Sequence, residues 1–82
     1  MDSLANQTLE QWHAAERALE DLPELSPDHE SVVLLVVQLR AIHRRLTTAR
    51  DLSNDVQSYC RGAIAASREL LTRVRSERRV AV

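Results

Sequence analysis

Residues 31 to 74 read SVVLLVVQLRAIHRRLTTARDLSNDVQSYCRGAIAASRELLTRV. Apolar or small residues recur along this stretch at alternating steps of three and four. We call this series the seam, and its members are Val32, Leu35, Leu39, Ile42, Leu46, Ala49, Ser53, Val56, Cys60, Ala63, Ser67, Leu70 and Val74. Such a repeat is typical of a helix that packs along one face against another helix. The seam therefore predicts an all-α fold with coiled-coil-like packing.

Length and composition limit how large a core the chain can build. With 82 residues, it makes at most one domain, and we expect a single helical domain over 1–82. A chain of this size buries only roughly 60% of its unfolded surface, so its stability is marginal without a partner. The apolar residues are mainly Leu, Val and Ala, with one Trp, one Tyr and no Phe, which suits helix–helix contacts.

The sequence contains no pattern of a disulfide-bonded, secreted or membrane-spanning protein. A lone cysteine, Cys60, cannot form an internal disulfide. The first residues lack the basic and apolar regions of a secretory signal. The longest apolar run, 32–37, is far shorter than the ~20 residues that span a bilayer. We expect a cytoplasmic protein.

Two prolines set the first helix boundaries. A helix over about 4–21 is predicted, because Pro23 cannot lie inside a helix and disfavours helical geometry at the residue before it. A loop over 22–26 follows. Ser26 and Pro27 then form a cap and a first helical position, so the next helix begins at 27. Leu25 is placed to pack as a hydrophobic staple on that helix.

The extent of the second helix is open. The segment 51–55 is rich in poor helix formers, and a break there gives a three-helix bundle. However, it has no Gly or Pro, and the seam crosses it without a change of phase. We therefore expect an antiparallel helical hairpin, with a short first helix and a long second helix from 27 to about 78. That second helix is about 75 Å long at 1.5 Å per residue.

Charge is segregated along the chain, although the net charge is only −1. Residues 1–30 contain eight acidic residues and one arginine, whereas residues 31–82 contain ten arginines and four acidic residues. An acidic arm and a basic arm attract when they lie side by side. The segregation therefore favours an antiparallel hairpin.

A second apolar surface lies off the seam. Val33, Leu34, Val36 and Val37 make the turn at 32–37 apolar on all sides. A helix of this kind is buried on more than one side, and an exposed apolar patch usually marks an interface. Two alternatives stay open: a three-helix fold buries the whole turn, or residues 32–37 form a buried β-strand.

No pattern of a catalytic, cofactor or metal site is present, so we expect a protein that is not an enzyme and has no cofactor or small-molecule substrate. The histidines His13, His29 and His43 have no second ligand at helical spacing. Cys60 lies on the seam, as a small buried hydrophobe does. There is also no glycine-rich phosphate loop.

The sequence therefore favours a protein–protein interaction module, a small helical subunit that pairs with itself or with a non-identical helical partner. The predicted interaction surface consists of Trp12, Leu19, Val32, Val33, Leu35, Val36, Leu39, Ile42, Leu46, Val56, Cys60, Ala63, Leu70 and Val74. A basic end is formed by Arg73, Arg75, Arg78 and Arg79. It offers a weaker alternative, binding to nucleic acid or a membrane surface, because no aromatic residue accompanies it.

The layout resembles that of type III secretion needle subunits, which have a short helix, a proline-containing loop and a longer helix. Here the loop is Pro23-Glu24-Leu25-Ser26-Pro27, and Gln38 follows one helical stretch later. The resemblance is one of architecture, since needle subunits have tighter proline spacing and more aromatic residues. Small helical chaperones of the same secretion systems and coiled-coil subunits of eukaryotic complexes fit equally well.

Overall fold

The computed structural model describes residues 3–49 and 51–80, the last three by their backbone alone. It contains three α-helices: α1 (Leu4–Asp21), α2 (Pro27–Thr48) and α3 (Asn54–Val80). The described residues include no strand, so the strand alternative for 32–37 is wrong. The molecule measures 46 × 20 × 19 Å. No described helix is long and apolar enough to cross a bilayer.

N-terminal capping sets where the first two helices begin. The Ser3 hydroxyl accepts a hydrogen bond from the Asn6 amide at 3.1 Å, at the start of α1. The Ser26 hydroxyl accepts one from the Asp28 amide at 3.3 Å, and Pro27 is the first residue of α2. Each serine satisfies a backbone donor that has no partner inside the helix.

The continuous helix from 27 to about 78 is wrong, and the three-helix alternative with a break near 51–55 is confirmed. At the end of α2, the hydroxyls of Thr47 and Thr48 both donate to the carbonyl of Arg44, at 3.1 and 2.8 Å. Ser53 then accepts from the amide of Val56 at 3.2 Å and caps α3. Short polar side chains thus end one helix and start the next without glycine or proline.

The first helix lies between the other two. It packs against both α2 and α3, which meet each other over a much smaller contact. Helix α3 runs back along α2, because Tyr59 near its start contacts Gln38, whereas Glu77 near its end lies beside Asp28. The main core cluster is formed by Ala15, Leu22, Val32, Leu35, Leu39, Leu71 and Val74.

The buried face of α3 differs from the seam. The seam predicts Ala63 and Leu70 inward, yet these are half-buried, whereas Ile64 and Leu71 are 2% and 8% exposed. The buried series is Cys60, Ile64, Ser67, Leu71 and Val74. Because the break frees α3 from the phase of α2, the helix turns Ile64 rather than Ala63 inward, and this buries more apolar surface.

The apolar turn of α2 is only partly covered. Val32 and Leu35 are buried and Val33 and Val36 are half-buried. On the opposite face, Leu34 and Val37 remain 62% and 60% exposed. The alternative in which a three-helix fold buries the whole turn is therefore wrong. Leu25 also departs from expectation: it is 98% exposed, so it does not staple onto α2.

Candidate interaction groove between the second and third helices

An open groove lies between the second half of α2 and the start of α3. Its main part has a volume of about 710 Å³ and is lined by Val37, Gln38, Arg40, Ala41, Ile42, Arg44, Arg45, Thr48 and Tyr59. A smaller adjoining part of about 290 Å³ is lined by Ile42, Arg45, Asp55, Val56, Tyr59 and Cys60. We call the two parts together the α2–α3 groove. The two helices that flank it make fewer contacts with each other than either makes with α1.

Helical spacing explains which residues of α2 reach this groove. Val37, Ala41, Arg44 and Thr48 recur at steps of three and four, so they share one face of the helix. Leu39 lies on the other face, buried in the core cluster. The apolar side chains at 32–37 therefore divide between a core face and a groove face.

The groove has an apolar floor and a basic rim. Ile42 and Cys60 are 7% and 2% exposed and form the floor. The arginines at 40, 44 and 45 are exposed on the α2 side, whereas Asp55 is the acidic residue that lines the α3 side. The combination suits an apolar side chain flanked by negative charge.

Tyr59 lies over the groove at the start of α3. It is 61% exposed, and its hydroxyl accepts a hydrogen bond from Gln38 Nε2 at 3.4 Å. This long contact between two exposed side chains is weak in water. The ring is therefore free to leave Gln38 when another group enters the groove.

Most of the predicted interaction residues lie in the core or at its edge. Val32, Leu35, Leu39, Ile42, Cys60 and Val74 are buried. Trp12, Leu19, Val33, Val36, Leu46, Val56, Ala63 and Leu70 are half-buried. Only Ile42, Val56 and Cys60 of this set line the groove. Their role in binding another protein stays a prediction.

Tyr59 was missed in the sequence. It is the one tyrosine of the chain and follows Val56 by three residues, so the two lie on adjacent turns of one helix face. Tyrosine is enriched in interfaces because it joins a large apolar body to a polar tip. A lone tyrosine near Val56 on one helix face therefore hints at an interface. Whether it lines a groove depends on where α2 lies, which the sequence does not show.

Trp12 lies between two histidines. Its ring centroid is 6.0 Å from that of His13 and 5.7 Å from that of His43, and the indole packs against the core cluster. Its Nε1 is buried and has no hydrogen-bond acceptor. The described residues contain no group of three or more His, Cys, Asp or Glu that could hold a metal ion.

Two carboxyl groups lie together where the start of α2 meets the end of α3. Protonated Glu77 donates a hydrogen bond to Asp28, and the two groups repel each other when both are ionised, so both effects raise the pKa of Glu77 above its ordinary 4.5. Arg73 Nε lies 4.0 Å from Glu77 Oε1 and acts in the opposite direction. Of the predicted basic end, Arg73 and Arg75 are exposed, whereas the side chains of Arg78 and Arg79 lie outside the described part.

Comparisons with known proteins give no family for this chain. No family model matches it. No curated protein and no solved structure matches it either. The short-helix and long-helix layout on which the resemblance to needle subunits rests is not the observed one, because the structure has three helices packed together.

Proposed function

We propose that this protein is a non-enzymatic protein–protein interaction module and that the α2–α3 groove is its docking site. The observation that carries the proposal is the pair of exposed side chains over a buried floor. Val37 and Tyr59 are 60% and 61% exposed and line the same groove as the buried Ile42 and Cys60. Covering the exposed part of a side chain such as Val37 contributes about 1 kcal/mol.

The groove has the composition of an interface centre. Interface cores are enriched in tyrosine and arginine, and such residues often carry most of the binding free energy. Tyr59 and Arg45 line both parts of the groove. A docked segment would exclude water from the tyrosine ring and would strengthen the charge interactions of the rim.

Charge on the rim defines the chemistry of the partner. Three arginines face one aspartate, so we expect a protein segment that places an apolar anchor in the groove and carboxylates beside it. Nucleic acid is the weaker candidate, because residues 1–30 carry eight acidic residues against one arginine and would repel its phosphates.

Photocrosslinking from the groove tests the proposal. A photoreactive amino acid is placed at Val37, with a control at the exposed Glu16 on α1, and the protein is irradiated in the cells that express it. We expect crosslinks from position 37 to a defined protein segment and few from position 16. Equal labelling at both positions, or crosslinks to RNA, would contradict the proposal.

The crosslinked partner is then purified and titrated against variants of this chain. Val37→Asp should weaken binding about tenfold or more, because it removes an apolar contact and puts a carboxylate beside an acidic ligand. Leu34→Asp is the matched control, since Leu34 is equally exposed on the same helix but does not line the groove. A loss of binding in both variants would show that the interface extends beyond the groove along this face of α2.

A further inference from the structure

The loop 22–26 presents a single apolar side chain to solvent. Leu25 is 98% exposed, and the Ser26 amide donates to the Pro23 carbonyl at 3.0 Å, which closes a turn around Glu24 and Leu25. Pro23 and Pro27 restrict the backbone on either side of this turn. The loop therefore holds Leu25 outward at little further cost in conformational entropy on binding.

Acidic residues surround Leu25 in the sequence. Residues 20–30 contain Glu20, Asp21, Glu24, Asp28 and Glu30 and no arginine or lysine. Residues 37–48, the α2 side of the groove, contain Arg40, Arg44 and Arg45 and no acidic residue. An apolar anchor flanked by carboxylates thus occurs in the same chain as a basic-rimmed apolar groove.

The loop cannot reach the groove of its own chain. Pro27 and Ile42 lie on one straight helix, and fifteen residues of helix separate them by about 22 Å. Leu25 lies just before α2 begins, and the groove lies along its second half. Contact between them therefore requires a second copy of the molecule.

We infer that the α2–α3 groove binds the Leu25 loop of a second copy, so that molecules associate head to tail. This inference rests on the proposed function and names the partner. Because the two surfaces differ, the contact is heterologous, and each bound copy still has one free surface. Such contacts build open chains or closed rings rather than symmetric dimers.

Other acidic surfaces of the chain fit the groove less well. The exposed face of α1 carries Glu10, Glu16 and Glu20 but no exposed large hydrophobic residue among the described ones. The far end of α3 brings Arg73 and Arg75 to the same end of the molecule as the loop, with Arg73 beside Glu77. Charge at that end is therefore mixed. The exposed Leu25 side chain is what makes the loop a better occupant of the groove than the other acidic surfaces.

Mixing two variants tests the inference directly. Leu25→Glu removes the anchor and keeps the groove, whereas Val37→Asp removes the groove and keeps the anchor. Sedimentation velocity should show that the wild type grows beyond a dimer with concentration and that each variant alone stays monomeric. An equimolar mixture should form a 1:1 dimer and nothing larger, because one intact contact remains. Each single change should weaken association about tenfold or more.

Controls separate loss of contact from loss of fold. Leu34→Asp should assemble as the wild type does, and circular dichroism should show unchanged helicity in every variant. If Val37→Asp loses helicity, Tyr59→Glu replaces it as the groove variant. Assembly of Leu25→Glu as efficiently as the wild type, or a mixture that stays monomeric, would overturn the inference.

Failure of the inference and failure of the proposed function give different results. A monomeric wild type that still crosslinks from position 37 to another protein overturns the inference and leaves the docking function standing. A monomeric wild type with no crosslinks from position 37 overturns both. High salt should weaken head-to-tail assembly if the arginine rim contributes, since exposed charges are screened.

Discussion

Leu39 is fully buried in the core cluster with residues of α1 and α3, whereas Leu34 on the same helix is 62% exposed. Leu39→Asp should lower the free energy of unfolding by several kcal/mol, because the carboxylate has no partner in the core. For so small a domain, this is on the order of its whole stability, roughly 5 kcal/mol. Chemical denaturation followed by circular dichroism measures the change.

The control is Leu34→Asp, which introduces the same side chain on the exposed face. It should change the free energy of unfolding by only about 0.5 kcal/mol. Equal destabilisation by the two substitutions would show that the assigned core face of α2 is wrong.

The carboxyl pair of Asp28 and Glu77 makes stability depend on pH. The pKa of Glu77 is raised by the hydrogen bond and the charge of Asp28, so the folded protein holds this proton more tightly than the unfolded chain does. The resulting stabilisation is present at low pH. It is lost as pH rises from 4.5 through the raised pKa of Glu77.

Glu77→Gln should therefore raise the melting temperature at neutral pH, where the two carboxylates repel each other. The gain should disappear on acidification. Part of it is offset because the contact with Arg73 is also lost. Glu69→Gln on the same helix is the control for removing one negative charge. A melting temperature that falls at neutral pH in Glu77→Gln would mean that Arg73, rather than Asp28, dominates the site.

At the scale of the helices, Ser53 sets where α3 begins. Its hydroxyl accepts from the Val56 amide at 3.2 Å, and its carbonyl accepts from the Gln57 amide at 3.0 Å. Ser53→Ala should cost about 1 kcal/mol, the usual effect of losing a helix cap. Thermal unfolding measures it. Ser58→Ala, at an exposed position inside α3, should be neutral or slightly stabilising. No loss in Ser53→Ala would contradict the capping role of Ser53.

The helix boundaries differ in how far the sequence predicts them. Pro23, Ser26 and Pro27 act on their immediate neighbours, so the end of α1 and the start of α2 follow from local chemistry. The break after Thr48 arises from several weak preferences at once. It is favoured by the hydrogen bonds from the hydroxyls of Thr47 and Thr48 to the Arg44 carbonyl. The heptad pattern of the seam does not indicate these bonds.

The packing face of α3 shows the same limit. The seam series and the buried series share Cys60, Ser67 and Val74 and differ by one position at Ala63 or Ile64 and at Leu70 or Leu71. Both follow steps of three and four, so periodicity alone does not separate them. Side-chain size separates them at one of the two positions, because Ile64 fills more of the core than Ala63 does, whereas residues 70 and 71 are both leucine.

For the candidate site, the sequence predicts only the side of the groove that α2 forms. The apolar turn at 32–37 indicates that α2 offers a second surface, and Leu34 and Val37 are indeed exposed there. The opposite wall, with Val56 and Tyr59, depends on where α1 holds α3 relative to α2. That placement is a tertiary property, which local sequence patterns do not contain.

At the scale of the whole molecule, the groove lies between the two helices that contact each other least. In a small three-helix fold, every helix can pack against the other two. Here α1 packs against both neighbours, whereas the contact between α2 and α3 is small. The molecule is elongated, 46 Å by about 20 Å, with the Leu25 loop just before α2 and the groove along the second half of that helix. This arrangement suits end-to-end growth.

The most direct measurement of the central claim is a concentration series of amide nitrogen–proton NMR spectra of the wild-type protein. On raising the concentration, shifts and broadening should be confined to two separate regions: the loop at 22–26, and the groove at 37–48 and 55–60. Leu25→Glu should abolish both sets together. Spectra that do not change with concentration, or changes confined to α1 or to the outer face of α3, would contradict the account.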